Sequence, residues 1–171
     1  MTRVFVLVCA VLAGLAGAAC KINLEHAPDV DSSTTGCAME ASTDCADATM
    51  HQELGWLETN VFGKQCTFSG CHNGGNTDAG KLDLRAGKSF ASLVNVSSRL
   101  EPSRKLVVPG NSAESYLLVM VGKLTPAMAS PPAGQIKSGV GTMPQDNGGM
   151  LMCCQKLDAI DRWIGSGAMN N

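Results

Sequence analysis

Two cysteines and a histidine stand close together in the stretch CTFSGCHNGG, residues 66–75. Four residues separate Cys66 from Cys71, and His72 follows the second cysteine directly. Two thiols beside an imidazole can do three kinds of chemistry. They can attach a haem through two thioether bonds with the histidine on its iron, they can close a disulfide, or they can ligate zinc.

The gap between the two cysteines bears on which chemistry applies. Covalent haem attachment usually has two residues between the cysteines, whereas this chain has four. Two extra residues can bulge outward while the ends stay together, and Gly70 makes such a bulge easy. A chance histidine beside a disulfide is disfavoured because the chain has only three histidines. A zinc site would need a later cysteine as its fourth ligand.

A haem iron held by His72 would need a second ligand or an open position, and a thioether is a common ligand in electron transfer. Met143 lies in the loop sequence GTMPQDNGG, where Pro144 restricts the backbone and glycines allow close approach to a flat ring. We predict Met143 as the distal ligand and Met128 as its main rival. The other candidates are Met150, Met152, His26 and His51.

The composition restricts the class of protein. The chain has 171 residues and a net charge of −2, so it has no basic field that would attract nucleic acid. Aromatic residues make up only 4% of the chain. Since large rings normally dominate core burial, the core must be built from aliphatic residues or borrow an apolar body such as haem.

The first 19 residues have the pattern of a secretory signal peptide. A short positive start is followed by the apolar run 4–16, and small residues lead to Cys20. The end of this segment resembles a bacterial lipoprotein signal, which would make Cys20 an acylated first residue; plain cleavage after Ala19 is the alternative. We therefore expect an exported protein, lipid-anchored through Cys20 on the periplasmic side of the outer membrane or at the cell surface.

Export places the remaining cysteines in an oxidising compartment, where thiols pair. If Cys66 and Cys71 hold a haem, an even number of cysteines remains. These allow two disulfides in three possible pairings, one of which includes a bridge between neighbouring cysteines. The four residues are Cys37, Cys45, Cys153 and Cys154.

The rest of the chain reads as a flexible polar tether over residues 20–46 and one domain over residues 47–171. In the domain, Thr49 and Gln52 have the form of a capping box that begins a helix, and Gly63 ends it. The apolar face of that helix consists of Met50, Leu54, Leu57 and Val61. This helix leads directly into Cys66.

Three further helices are predicted. A short helix or turn covers KSFASLVN, and a helix capped by Ser112 covers AESYLLVMVGKL, where Tyr116 and Leu117 face the core. The last helix runs from about Cys153 to Ile164, and long loops join these elements. The fold class is therefore all-α, with a prosthetic group as the natural organiser of the loops.

Residues 50–168 resemble a small bacterial cytochrome c domain of the kind found in exported lipoproteins of myxobacteria and their relatives. The resemblance rests on these stretches: VFGKQCTFSGCHNGG, AGKLDLRAG, SLVNVSS, VVPGNSAESYLLVMVGKL, GTMP and IDRWIGSGA. It implies a small cytochrome c-like fold of short helices and long loops around one covalently bound haem c. The four-residue gap and the Cys153-Cys154 pair depart from the plain family pattern.

The resemblance also implies roles for individual residues. Cys66 and Cys71 would carry the thioether bonds, His72 would be the proximal iron ligand, and Met143 the distal one. Trp163 and Ile164 would pack the last helix against the helix that leads into Cys66.

The expected function is electron transfer by an exported monohaem c-type cytochrome with redox proteins as partners, and not catalysis in its own right. The main alternative is a haem-free, disulfide-stapled lipoprotein that acts as a binding module. A haem enzyme or gas sensor with an open iron position is a third reading. Arg99, Arg104 and Lys105 are read as a solvated surface cluster, with haem propionates as their other possible partners.

Overall fold

The computed structural model describes residues 37–136, 139–145 and 152–171. The predicted signal peptide, Cys20 and most of the predicted tether lie outside these residues, as do His26 and Met150. Within the described part of the chain, no helix has the length and apolar character needed to cross a lipid bilayer.

The described chain is mostly helical, as the sequence predicted, and extended pairing is limited to two isolated bridges, Val94 with Val107 and Ser97 with Lys105. The helices are α1 (Thr43–Asp47), α2 (Leu54–Leu57), α3 (Gly63–Gln65), α4 (Ser89–Leu93), α5 (Tyr116–Met120) and α6 (Cys154–Gly165). A π-helical segment, Glu58–Phe62, joins α2 to α3. These three pieces form one helical run over residues 54–65, called here the lead-in helix.

The lead-in helix begins later and ends later than the sequence predicted. Thr49 donates its hydroxyl to the carbonyl of Ala46 and caps no helix, and Met50 is 80% exposed. The backbone is extended at Glu53, so the helix begins at Leu54. Gly63 adopts helical dihedrals and the helix continues through it. The predicted apolar face is otherwise confirmed, because Leu54, Leu57 and Val61 are fully buried.

Helix α6, with 12 residues, is the longest unbroken α-helix among the described residues and agrees closely with the prediction. Its apolar face packs into one core cluster together with the buried face of the lead-in helix. Trp163 has no exposed surface, and its indole N–H donates to the carbonyl of Met169 at 2.9 Å, which satisfies the ring's only polar group. The other core residues of α6 are Leu157, Ala159, Ile160 and Ile164.

Helix α5 is shorter than predicted and begins at Tyr116. Residues before it form a turn in which the N–H of Ser115 donates to the carbonyl of Ser112. The Ser115 hydroxyl then bonds to the carbonyl of Asn111 at 2.8 Å and accepts from the N–H of Val108 at 2.9 Å. Local side-chain bonds of this kind compete with helix formation, which explains the later start.

Two disulfides join the segment before the domain to the start of α6. Cys37 pairs with Cys154, and Cys45 pairs with Cys153. This is one of the three pairings that the sequence allowed. Cys154 also donates its N–H to the carbonyl of Ala38. Residues 37–46, expected as part of a flexible tether, are thus held against the last helix, and α1 lies within and just beyond them.

Candidate functional site

The cysteine–histidine motif begins where the lead-in helix ends. The N–H of Cys66 still donates to the carbonyl of Phe62, at 2.8 Å, in the helical pattern. The chain then turns out and back, because the N–H of His72 donates to the carbonyl of Cys66 at 3.0 Å. Phe68 is 55% exposed and Gly70 has a φ of +82°. This is the outward bulge that a four-residue gap requires if both cysteines are to stay together.

Cys66 and Cys71 are the free cysteines of the described chain, since the other four are in disulfides. Burial raises the pKa of the Cys66 thiol to about 12, and the nearby Cys71 thiol adds to the shift. A thiol with a raised pKa stays protonated near neutral pH and is a poor nucleophile in disulfide exchange. The Cys66 thiol is therefore a weak nucleophile near neutral pH, and neither Cys66 nor Cys71 is in a disulfide.

The ring of His72 is oriented by a backbone carbonyl. Its Nδ1 lies 2.8 Å from the carbonyl oxygen of Ala79. Because a carbonyl oxygen can only accept, the proton of a neutral imidazole resides on Nδ1 and the lone pair on Nε2. A histidine that donates its other N–H to a carbonyl is the usual arrangement for a metal ligand, since this bond fixes the tautomer and the ring orientation.

The loop over residues 72–84, called here the histidine loop, is closed by backbone contacts. The N–H of Leu84 donates to the carbonyl of His72 at 2.9 Å, so the loop returns to its start. Gly80 is buried, and a Cβ atom there would lie 2.7 Å from the carbonyl oxygen of Gly75. Such an approach is possible only without a side chain. Gly80 therefore allows the close turn next to Ala79, whose carbonyl faces His72.

Met143 is half-buried and contacts both core clusters. One cluster is the main core, against which Cys66 also packs, and the other surrounds Tyr116 and Met120. The N–H of Met143 donates to the carbonyl of Met120 at 2.7 Å, which ties this loop to α5. Met143 thus packs against the main core, as Cys66 does, and its role as a distal ligand stays a prediction.

The rival methionines and histidine lie elsewhere. Met128 ends a short 3₁₀ turn and is 48% exposed, whereas Met152 is almost completely buried in the main core. The ring of His51 stacks on Trp56 with centroids 4.6 Å apart, and its Nδ1 lies 3.0 Å from Glu53. His51 is thus engaged by its own neighbours.

A zinc site with Cys66, Cys71, His72 and a later cysteine finds no support in the described chain. The later cysteines, Cys153 and Cys154, are both in disulfides. No group of three or more His, Cys, Asp or Glu side chains among the described residues is arranged to hold a metal ion.

The basic residues predicted to form a surface cluster have different environments. Arg104 is only 7% exposed, with its Nε 3.2 Å from Glu101 and a second nitrogen donating to the carbonyl of Pro131. Arg99 and Lys105 are exposed. A cavity of about 170 Å³ beside Arg104 is lined by none of the four predicted haem residues. Arg104 is therefore a structural residue and not part of a solvated cluster.

Sequence reasoning missed two groups that position the site. Ala79 acts through its carbonyl, and no sequence pattern marks a backbone acceptor. Thr77 bonds to the motif through its hydroxyl, and its one sequence signal is its place in a short polar, glycine-rich loop.

Comparison with known proteins adds no relative. A scan against models of protein families, a search of curated proteins and a search of solved structures each find no match to this chain.

Proposed function

We propose that this protein is an exported monohaem c-type cytochrome that transfers electrons. One observation carries the proposal. Four of the described cysteines pair with one another, which leaves Cys66 and Cys71 unpaired. Cys71 directly precedes His72, whose Nδ1 lies within hydrogen-bond distance of a backbone carbonyl. In an oxidising compartment, two neighbouring thiols are expected to be in covalent bonds. Two thioether bonds to one haem would account for both Cys66 and Cys71.

The donor set fits haem c. Cys66 and Cys71 would hold it covalently, His72 would ligate the iron through Nε2, and Met143 would supply a thioether as the second ligand. When bound, the haem supplies a one-electron couple between ferrous and ferric iron. The fold that we propose around it is the small cytochrome c-like one, with the lead-in helix delivering the motif and α6 packed against it.

The residues of the chain itself would orient the proximal histidine and form the apolar side of the site. The Ala79 carbonyl keeps the Nδ1 proton in place, and this increases the basicity of the imidazole at Nε2. Cys66 packs against the main core, which would give the site one apolar side. With a histidine and a methionine both bound, no position remains for a substrate, so we propose an electron carrier and not an enzyme. Its partners would be other redox proteins, with contact to the membrane only through a lipid at Cys20.

A visible spectrum tests the proposal. The full chain is expressed in a bacterial host with its cytochrome maturation machinery, purified, and recorded oxidised and reduced. We expect sharp reduced bands that stay with the polypeptide after acid-acetone extraction. The double variant Cys66→Ser, Cys71→Ser is expected to lose the covalent haem. A disulfide variant with Cys37→Ser and Cys154→Ser, which has the same number of changes, is expected to keep it.

A second experiment distinguishes the two methionines. Met143→Ala is expected to abolish the weak long-wavelength band of a thioether-ligated ferric haem and to lower the reduction potential, because loss of the thioether favours ferric iron. Met128→Ala removes an exposed methionine and is expected to change neither. The opposite pattern would transfer the distal role to Met128.

The second candidate is a haem-free, disulfide-stapled binding module. The two disulfides at one end of α6 and the long surface loops favour it. In that case the purified protein would be colourless under the same expression conditions, and mass spectrometry would find Cys66 and Cys71 joined to each other.

A further inference from the structure

We propose that Thr77 is a positioning residue for His72. This inference rests on the proposed function, because it concerns the histidine that would ligate the iron. The hydroxyl of Thr77 bonds to Gly70 and Gly80 and not to the imidazole. It acts through the loop that carries the Ala79 carbonyl.

The hydroxyl of Thr77 bridges the two sides of the site. It donates to the carbonyl of Gly70, at 3.1 Å, inside the bulge between the two cysteines. The same oxygen accepts from the N–H of Gly80, at 2.9 Å. One side chain thus links the haem motif to the residue that directly follows Ala79.

The position of Ala79 depends on this bridge. The peptide between Ala79 and Gly80 contains both the carbonyl that accepts from His72 and the N–H that donates to Thr77. Fixing the N–H of a planar peptide fixes the direction of its carbonyl. Thr77 therefore orients the acceptor of the His72 proton, while the contact between Gly75 and Gly80 limits where the loop can lie.

The side chain is suited to a clean experiment because it lies at the surface. Exchange of threonine for valine keeps the shape and removes the oxygen, and no core contact is lost. Without the bridge, we expect a longer and weaker bond between His72 and Ala79. A weaker bond makes the imidazole a poorer donor to iron, which favours the ferrous state and raises the reduction potential.

The experiment uses the haem-loaded full chain and four variants. Thr77→Val and Thr77→Ala remove the hydroxyl with and without the branched shape, and Thr77→Ser restores it. Thr67→Val is the matched control: Thr67 lies between the same two cysteines, but its hydroxyl donates to Gly63 at 3.2 Å and does not reach the histidine loop. The readouts are the reduction potential and the hydrogen exchange of the Gly80 amide in the ferrous protein.

We expect Thr77→Val and Thr77→Ala to raise the potential and to speed exchange at Gly80. Thr77→Ser and Thr67→Val are expected to match the wild type in both. A potential unchanged by Thr77→Val would overturn the inference, even with faster Gly80 exchange, since Thr77 would then support only the loop. Failure of the wild type to bind haem covalently would instead refute the proposed function, so the two failures are distinguishable.

Discussion

The side-chain oxygen of Asn171 accepts a hydrogen bond from the N–H of Leu54 at 3.1 Å, across 117 positions of sequence. The main-chain oxygen of Asn171 accepts from the next amide, that of Gly55, at 2.8 Å. Free N–H groups at a helix start need such partners. Asn171 therefore caps the lead-in helix, whose other end carries Cys66.

We expect Asn171→Ala to lower the free energy of unfolding by about 1 kcal/mol, which is the typical cost of losing a side-chain cap. Asn171→Asp keeps an oxygen acceptor and places a negative charge at the helix start, so it should retain most of the stability. Urea unfolding followed by circular dichroism measures both. Equal stabilities of the two variants would show that the side chain is not the cap.

Gly80→Ala should disrupt the histidine loop. The added Cβ would lie within 3 Å of three backbone atoms of Gly75, and a backbone cannot move aside as a flexible side chain can. We expect a loss of about 1–3 kcal/mol in unfolding free energy, as for other overpacked sites.

The control for this substitution is Gly134→Ala. An added Cβ there meets no atom within 4 Å, and the backbone is not in the left-handed region. In urea unfolding, the midpoint of Gly134→Ala should stay at the wild-type value, whereas that of Gly80→Ala should fall. A Gly80→Ala variant as stable as this control would contradict the close approach of Gly75 and Gly80.

The two disulfides should be partly redundant, because each shortens the loop that the other closes. Each alone closes a long loop, of 117 or 108 residues. The lost conformational entropy raises the free energy of the unfolded chain by about 4.7 kcal/mol. With one bond present, the other closes a ring of only about eleven residues, which corresponds to about 3 kcal/mol.

Removal of one disulfide, by serine at Cys37 and Cys154 or at Cys45 and Cys153, should therefore cost about 3 kcal/mol. Removal of both should cost about 7–8 kcal/mol, which is more than twice the single effect. Differential scanning calorimetry of the three variants measures the difference. Simple additivity of the two single effects would argue that loop closure is not how these bonds stabilise the fold.

Lys156 is a buried charge that should weaken the fold. It is only 5% exposed, and its Nζ lies 3.9 Å from Asp44, which is itself closer to Lys64 at 2.8 Å. Burial lowers the pKa of Lys156, and the Asp44 carboxylate opposes this only in part. Lys156→Met keeps the length of the chain and removes the charge, so we expect a gain of about 1 kcal/mol.

The pH dependence has a definite sign. A lysine whose pKa is lower in the folded state binds protons more readily when unfolded, so the wild type gains stability as the pH rises toward the ordinary lysine value of 10.5. Lys156→Met should lack this gain. Unfolding midpoints of both proteins are measured at about pH 7 and about pH 9.5. The stability difference in favour of Lys156→Met should be smaller at the higher pH.

The helical class and much of the core could be predicted from the sequence. Leu54, Leu57 and Val61 recur at helical spacing. An apolar stripe of this kind is buried whatever the fold, because removing apolar surface from water is favourable. Trp163 and Ile164 follow the same rule. The start of the lead-in helix could not be predicted, since a local capping signal at Thr49 competes with a distant cap from Asn171.

The sequence by itself determined which residues can do chemistry: two thiols, an imidazole and a set of methionines. Only the tertiary structure decided how the remaining cysteines pair, which methionines pack in or against the core, and which carbonyl holds His72. The physical reason is the distance along the chain over which each kind of interaction acts. Periodicity and residue type act over a few positions, whereas a disulfide, a helix cap from Asn171 or a core contact of Met143 depends on where distant parts of the chain meet.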